Sequence, residues 1–227
     1  MDFFDFSGIV PALPGLWNGM IMTLKLMVMG VIGGIALGTI LALMRLSSSK
    51  LLSRLAGAYV NYFRSIPLLL VITWFYLAVP FVLRWITGED TPIGAFTSCV
   101  VAFMMFEAAY FCEIVRAGVQ SIPKGQMAAA QAMGMTYGQT MRLIILPQAF
   151  KNVLPALANE FIVLLKETSV ACYVAVNDLT KGGEIIRSQT YIQAMPLLIV
   201  AALYLIMVVF FSHLVSKLER RLRSSDH

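Results

Sequence analysis

The sequence predicts an all-α integral membrane protein, with about five transmembrane helices and a polar helix–glycine–helix segment on the cytoplasmic side. Hydrophobic residues make up 59% of the 227 positions and charged residues only 13%, a balance that ordinary soluble domains of this length do not show. Residues 26–44, 65–83 and 188–216 contain no charged side chain. Each of these stretches exceeds the roughly 18 apolar residues that a spanning helix needs.

The five spans are predicted at about residues 18–44, 60–83, 92–114, 146–166 and 192–216, within one transmembrane domain over residues 1–227. The third span contains Glu107 and the fourth contains Lys151 and Glu160. These two helices can cross only if their charges face protein or water. Residues 168–176 are apolar but too short to cross, so a sixth membrane segment is the alternative if they enter the bilayer.

The distribution of lysine and arginine predicts the orientation. Basic residues follow the first and third spans and fill the C-terminal tail, whereas the N-terminus before the first span carries Asp2 and Asp5 and no basic residue. With five spans the basic segments share one side, so we expect the N-terminus outside and the C-terminus inside. The net charge of +5 then reflects topology, because short basic loops without interleaved aromatic residues do not form a nucleic-acid surface.

A ridge of small residues lies in the first span, where Gly30, Gly34 and Gly38 recur every four residues. Such a ridge lets another helix approach closely. The partner helix belongs either to this chain, which is the favoured interpretation, or to another subunit.

The polar segment from Gly118 to Pro147 interrupts the apolar sequence. Ser121 is a predicted N-cap, and Pro123 falls in the first turn, where its missing N–H costs nothing. The alanine-rich run 127–133 favours a helix, which Gly134 ends by adopting the left-handed conformation.

A second short helix is predicted to follow, because Thr136 and Gln139 have the spacing of a capping box. Pro147 then interrupts or kinks the chain where it re-enters apolar sequence. From the pattern alone, the slim first helix either sits in a groove on another protein or rests on the membrane interface.

No catalytic or metal-binding constellation is visible. The three cysteines stand in apolar contexts, the two histidines lie far from them, and no GxxxxGK[ST] phosphate loop is present. If the protein uses ATP, another chain must bind it.

The polar segment resembles the EAA loop of permease subunits of bacterial ATP-binding cassette importers, in the register EAA-x3-G-x9-I-x-LP. The matching residues are Ala129, Ala130, Gly134, Ile144, Leu146 and Pro147. Ala128 stands where the motif has glutamate, so docking here is expected to depend on helix shape rather than on that charge. The resemblance implies a type I importer permease whose coupling segment, residues 121–147, contacts an ATPase through these residues together with Gly125, Gln126 and Ala128.

Further motifs are similar to the polar amino acid branch of these permeases. They are Phe63–Leu69 (FRSIPLL), Glu113–Gly118 (EIVRAG), Ser121–Gln126 (SIPKGQ) and Lys166–Ser169 (KETS), and the resemblance covers about residues 16–220. The pattern is most similar to the permeases of glutamate/aspartate importers. The alternatives are a permease for glutamine, histidine or arginine, or a stand-alone secondary transporter.

The resemblance also implies the partners. Two cytoplasmic ATPase subunits would bind ATP and Mg²⁺, a sister permease would complete a heterodimeric or homodimeric pore, and a periplasmic protein would deliver the amino acid. This chain would need no cofactor of its own, and it would lie in the bacterial inner membrane.

Candidates for the substrate path are Arg64, Ser65, Pro67, Glu113, Thr168 and Ser169. Arg64 either faces the pore, where it would offset the extra negative charge of a dicarboxylic amino acid, or extends to the membrane interface beside a kink at Pro67. Glu113 either takes part in the path or pairs with Arg116. Glu107 and Glu160 are expected to pair with basic side chains across the bundle.

Overall fold

The computed structural model describes residues 10–89 and 92–223, and this part of the chain is helical throughout, with no β-strand. The α-helices are α1 (Leu13–Leu46), α2 (Lys50–Ser65), α3 (Leu68–Thr87), α4 (Ala95–Gln120), α5 (Lys124–Ala132), α6 (Tyr137–Thr140), α7 (Leu146–Glu167), α8 (Leu179–Thr190) and α9 (Met195–Arg223). A π-helical turn, Met141–Ile145, joins α6 to α7, and a 3₁₀ helix, Thr168–Val174, follows α7. The predicted all-helical class is confirmed.

Helices α1 and α4 form the most extensive pair in the bundle, and the glycine ridge is the reason. A Cβ atom at Gly34 would lie 2.7 Å from the Cβ of Glu107, and one at Gly38 would lie 2.7 Å from the Cβ of Phe111. The absence of side chains therefore sets the distance between the two helices. The ridge packs within this chain, as the favoured interpretation held.

Pro67 divides the second predicted span. The predicted helix over 60–83 is interrupted between Ser65 and Leu68, where Ile66 has an extended backbone (φ −113°, ψ 146°) and Pro67 occupies the N-cap of α3. Proline disfavours the helical conformation of the residue before it and supplies no N–H. The apolar run therefore lies in α3 alone, and α2 contains the more polar residues that precede it.

Four helices are long and apolar enough to cross a membrane among the described residues, namely α1, α3, α4 and residues 195–221 of α9. Helix α7 covers the fourth predicted span without a break, but it carries Lys151, Glu160, Lys166 and Glu167. It packs against α1, α4 and α9 and buries Leu164 and Leu165 completely. Helix α7 is thus held by its neighbours in spite of its charges. Together with the four apolar helices it agrees approximately with the predicted count of five spans.

The segment after α7 does not form a sixth crossing. Its 3₁₀ helix has 7 residues, about 14 Å at 2.0 Å per residue, against a hydrocarbon thickness of about 30 Å. It ends at Ala175, which has a positive φ of 63°. Helix α8 follows, and its N-cap Asp178 accepts a hydrogen bond from the N–H of Lys181 at 2.9 Å.

Candidate functional site

The coupling segment has the predicted helix–glycine–helix form. Gly134 has φ +84°, its N–H bonds to the carbonyl of Gln131 at 2.9 Å, and the N–H of Met135 bonds to the carbonyl of Ala130 at 3.1 Å. This pair of bonds is the Schellman motif, which satisfies carbonyls at a helix end through a left-handed residue. No atom lies within 4 Å of a Cβ built at Gly134, so the backbone conformation, rather than lack of space, requires glycine.

The predicted N-cap at Ser121 is wrong. Ser121 caps the C-terminus of α4, where its Oγ donates to the carbonyl of Gly118 at 2.8 Å and accepts from Nδ2 of Asn152 at 2.9 Å. Pro123 holds the N-cap position of α5, without a side-chain hydrogen bond. The serine belongs to the preceding helix because α4 extends to Gln120, beyond the predicted end of its span.

The predicted capping box is present at the start of α6. The N–H of Gln139 donates to Thr136 Oγ1 at 3.3 Å, and the N–H of Thr136 donates to Gln139 Oε1 at 2.8 Å. Pro147 does not end the helix, which continues through the π-helical turn into α7. The wider turn just before Pro147 accommodates a ring that would collide with the carbonyl four residues earlier in a regular α-helix.

The coupling segment is anchored to the bundle by a small apolar cluster. Ile122, Ile145 and Ala149 are buried together, and Met127, Met141 and Ile144 pack around them. Ala130 is the one buried residue of α5. The segment therefore rests on the base of α4 and α7 rather than hanging free.

Most of the predicted contact residues lie on the outer surface of the segment. Gly125, Gln126, Ala128, Ala129, Gly134, Leu146 and Pro147 are exposed, whereas Ala130 is buried and Ile144 half-buried. The motif residues thus divide into an outward set and an inward pair. Four residues of the outward set are glycine or alanine, which lets a partner approach closely. They are Gly125, Ala128, Ala129 and Gly134.

Sequence reasoning missed three large apolar side chains on the same segment. Met133 is 74% exposed, Tyr137 64% and Leu143 64%. Met133 and Tyr137 flank the Gly134 turn, a position that could have drawn attention to them. Together they give the otherwise slim segment an apolar surface suited to docking.

A second feature is a polar cleft between α2, α4 and α7, with a volume of about 730 Å³. Its lining includes Arg64, Glu113, Ser121, Lys151 and Asn152. The structure therefore brings together two predicted substrate-path residues, Arg64 and Glu113. Gly118 forms part of the same lining, and its lack of a side chain lets Val153 of α7 pack against α4.

Glu113 and Arg64 differ in the groups that surround their charges. Glu113 accepts from Arg116 Nε at 3.0 Å and pairs with Nη2 of Arg45 at 3.5 Å, so its charge is balanced by two cations. The guanidinium of Arg64 lies 5.4 Å from the ring centroid of Tyr110, in cation–π range. Arg64 is thus exposed in the cleft beside Tyr110, and Glu113 forms the pair with Arg116 that one interpretation expected.

The other path candidates lie outside this cleft. Ser65 is exposed and donates to the carbonyl of Asn61 at 2.6 Å, and Pro67 marks the break between α2 and α3. Thr168 is fully buried and donates to the carbonyl of Leu165 at 2.7 Å. Thr168 and the half-buried Ser169 follow the far end of α7.

Glu107 differs from the expectation that it pairs with a basic side chain. It is fully buried, and neither carboxyl oxygen meets a hydrogen-bond partner among the described residues. Glu160 and Glu167 of α7 are close enough to interact with it electrostatically, whereas Glu160 also interacts with Arg64. An unpaired buried carboxylate is costly, so the expected pairing of Glu107 with a basic side chain is not found among the described residues.

No cluster of histidine, cysteine, aspartate and glutamate able to hold a metal ion occurs among residues 10–89 and 92–223. The cysteines Cys99, Cys112 and Cys172 are free.

Comparison with known proteins matches residues 34–224 to the family of binding-protein-dependent transport system inner membrane components. The chain is 46% identical to the glutamate/aspartate import permease protein GltK of Escherichia coli, over 96% of this chain and 98% of that protein. It is 36% identical to the arginine transport system permease protein ArtQ of Bacillus subtilis, over 98% and 99%.

Solved structures agree with these matches. An amino acid ABC transporter crystallised with histidines is similar at a TM-score of 0.88 and 41% identity, covering 96% of this chain and 98% of that one. The MetNI methionine ABC transporter in an inward-facing conformation is similar at a TM-score of 0.68 and 26% identity, covering 92% and 95%.

Proposed function

The chain belongs to the family of binding-protein-dependent transport system inner membrane components and is a permease subunit of an amino acid ABC importer, and we propose that it carries glutamate and aspartate. The 46% identity to a glutamate/aspartate import permease over nearly the full chain supports this cargo. Relatives named for arginine and glutamine make another polar amino acid the second candidate.

The observation that carries the proposal is the placement of Arg64 in the polar cleft. Two arginines already balance Glu113, whereas the guanidinium of Arg64 contacts the face of Tyr110. Arg64 is exposed in the single chain, and its positive charge can attract the second carboxylate of an acidic amino acid. A charged Glu160 weakens this attraction, because it partly offsets the charge of Arg64. In this proposal the preference for acidic cargo depends on Arg64.

Energy is supplied by other chains in this proposal. Two cytoplasmic ATPase subunits bind ATP and Mg²⁺, and each receives the α5 surface of one permease in a cleft. Closure of the ATPase pair on ATP draws the coupling segments together and turns the pore from inward-open to outward-open by rigid-body movement. The exposed Met133 and Tyr137 supply apolar contact area there, and Ala128 supplies no charge.

The remaining partners follow from the family. A sister permease, in a heterodimer or a homodimer, completes the pore, and a periplasmic protein delivers the amino acid to its outer face. In this proposal the N-terminus lies on the outer side of the inner membrane and the C-terminus on its cytoplasmic side. Basic residues at the ends of α1 and α9, and Arg116 and Lys124 on either side of the end of α4, support this orientation through the positive-inside rule.

Uptake competition in a fully reconstituted importer tests the cargo. Radiolabelled glutamate uptake is measured against an excess of unlabelled glutamate, aspartate, glutamine or arginine. We expect aspartate to compete as well as glutamate, and the other two to compete weakly. Strong competition by glutamine or arginine, with weak competition by aspartate, would select the second candidate.

A further inference from the structure

The last turns of α9 carry a stripe of basic and apolar side chains. A surface groove there is lined by Phe210, His213, Leu214, Lys217, Arg220 and Arg221. At 100° per residue these positions fall within about 120° of the helix circumference. The proposed transport function uses none of them.

This stripe faces away from the bundle. All six side chains are exposed, whereas Phe211 packs against the apolar core. Glu219, the acidic residue of this region, is half-buried and lies about 160° around the helix from Lys217. The helix therefore separates its charges, with cations outward and the carboxylate toward the protein.

The length of α9 places the stripe at the membrane boundary. Its 29 residues extend about 43 Å, against a hydrocarbon thickness of about 30 Å. Counted from Met195, His213 lies about 27 Å along the helix axis, and Lys217 about 6 Å further. The exposed Ile206 and Val209 continue the same outward face into the apolar region.

The cations are held in a position to bind an anion. Nε of Arg220 donates to the carbonyl of Ser216 at 3.3 Å, which turns the side chain back toward the membrane. The ammonium of Lys217 and the Nη groups of Arg220 pair with no carboxylate in the described part of the chain. A ligand that satisfies them needs negative charge beside apolar surface.

We propose that this stripe is a binding site for an anionic phospholipid of the surrounding bilayer. The headgroup phosphate pairs with Lys217 and Arg220, and an acyl chain lies along Phe210 and Leu214. A lipid fits better than a protein because the basic patch is continuous with an apolar, outward face at bilayer depth. This inference is independent of the transported substrate.

Native mass spectrometry of the full-length protein tests the proposal. The protein is released from nanodiscs that contain equal amounts of phosphatidylglycerol and phosphatidylcholine with identical acyl chains. We expect preferential retention of phosphatidylglycerol. The Lys217→Gln/Arg220→Gln variant should lower that retention about 25-fold, because each cation near an anionic lipid contributes a factor of roughly five. The Lys217→Arg/Arg220→Lys variant preserves both charges and should retain the lipid.

The matched control is Lys50→Gln/Arg54→Gln, which removes two exposed cations from the start of α2 and should leave retention unchanged. Equal retention of the two lipids by the unaltered protein, or unchanged retention by the Lys217→Gln/Arg220→Gln variant, would overturn the proposal. So would displacement of the lipid by millimolar inorganic phosphate, which would indicate a site for free phosphate. Loss of a protein subunit from the assembled importer that carries the double variant, measured in lipid-free detergent, would also overturn the proposal, because the stripe would then be a protein interface.

Discussion

Among single residues, Gly134 determines the angle between α5 and α6. Its φ of +84° costs a non-glycine residue about 1–2 kcal/mol, and nothing else crowds the site. We expect Gly134→Val to abolish ATP-driven uptake while the ATPase activity of the complex continues, because the segment can no longer present its docking surface. Uptake and ATP hydrolysis are measured together in proteoliposomes.

Two variants separate backbone conformation from bulk at this position. Asparagine tolerates the left-handed conformation, so Gly134→Asn should retain most uptake. Gly138, four residues later, also has open space around its Cβ position but lies within α6, and Gly138→Ala should be nearly neutral. Normal uptake by Gly134→Val would exclude the coupling role of this turn.

Arg64 is the residue whose charge should select cargo. Arg64→Gln is expected to reduce glutamate and aspartate uptake by about tenfold or more, since loss of one hydrogen bond between charged groups costs about 1.5–3 kcal/mol. Residual uptake of a neutral amino acid such as glutamine should fall less. An equal loss for both classes would instead indicate that Arg64 supports the bundle through Tyr110.

Asp178 is a buried cap outside the spanning helices, and its titration should affect stability. Burial raises the pKa of its carboxyl above the ordinary value, which is about 3.9, and Oδ2 has no partner among the described residues. Because the folded pKa is the higher one, the stabilising contribution of this group is complete below about pH 3.9 and is lost as the pH rises through the folded pKa.

Asp178→Asn keeps a cap acceptor and removes the charge. In thermal unfolding of the detergent-solubilised protein, this variant should be more stable than the unaltered protein at pH 7, and the difference should shrink toward pH 4. Asp178→Ala also removes the charge but loses the cap acceptor, so it should be less stable than Asp178→Asn by about 1 kcal/mol at all pH values. A pH-independent difference for Asp178→Asn would contradict the account.

At the scale of whole elements, the pairing of α1 with α4 depends on glycine. A Cβ at Gly38 would lie 2.9 Å from the carbonyl oxygen of Ala108 as well as 2.7 Å from Phe111. We expect Gly38→Ala to destabilise the protein by about 1–3 kcal/mol through overpacking, measured as a lower thermal midpoint in detergent. Gly15→Ala in the same helix meets nothing within 4 Å and should leave the midpoint unchanged.

The sequence predicted elements best where the signal is local. The Gly134 turn and the Thr136 capping box depend on neighbouring residues alone, and both are present. Ser121 was assigned to the wrong helix because the length of α4 depends on packing against α7. Helix α8 was missed because its polar sequence resembles a loop, although Asp178 in the N-cap position was the available signal.

The cleft could be predicted only in part, because it is formed by three helices that are distant in the sequence. Apolar surroundings singled out Arg64 and Glu113, but they could not show that Arg45 would balance Glu113. Lys151 and Asn152 of α7 join the same lining, and no local pattern marks them. The burial of Glu107 without a hydrogen-bond partner among the described residues likewise depends on tertiary packing.

At the scale of the whole molecule, the chain looks like one part of an assembly. Only 11% of the apolar window of α3 and 11% of that of α9 are buried within the chain, and α3 exposes Trp74, Phe81 and Trp85. Lipid and a sister permease can cover these faces. Alternating access requires two bodies that move against each other. A single copy of the chain supplies only one of these bodies.

This incompleteness leads to a prediction about transport by the isolated chain. Proteoliposomes that contain only this protein should show no concentrative amino acid uptake in the presence of ATP or of a proton or sodium gradient. Addition of the sister permease, the ATPase subunits and the binding protein should restore ATP-driven uptake. Orientation is checked in the same vesicles by protease access to the ends of the chain. Concentrative uptake by the single chain would favour a secondary transporter, since the gradient would then be coupled within one subunit.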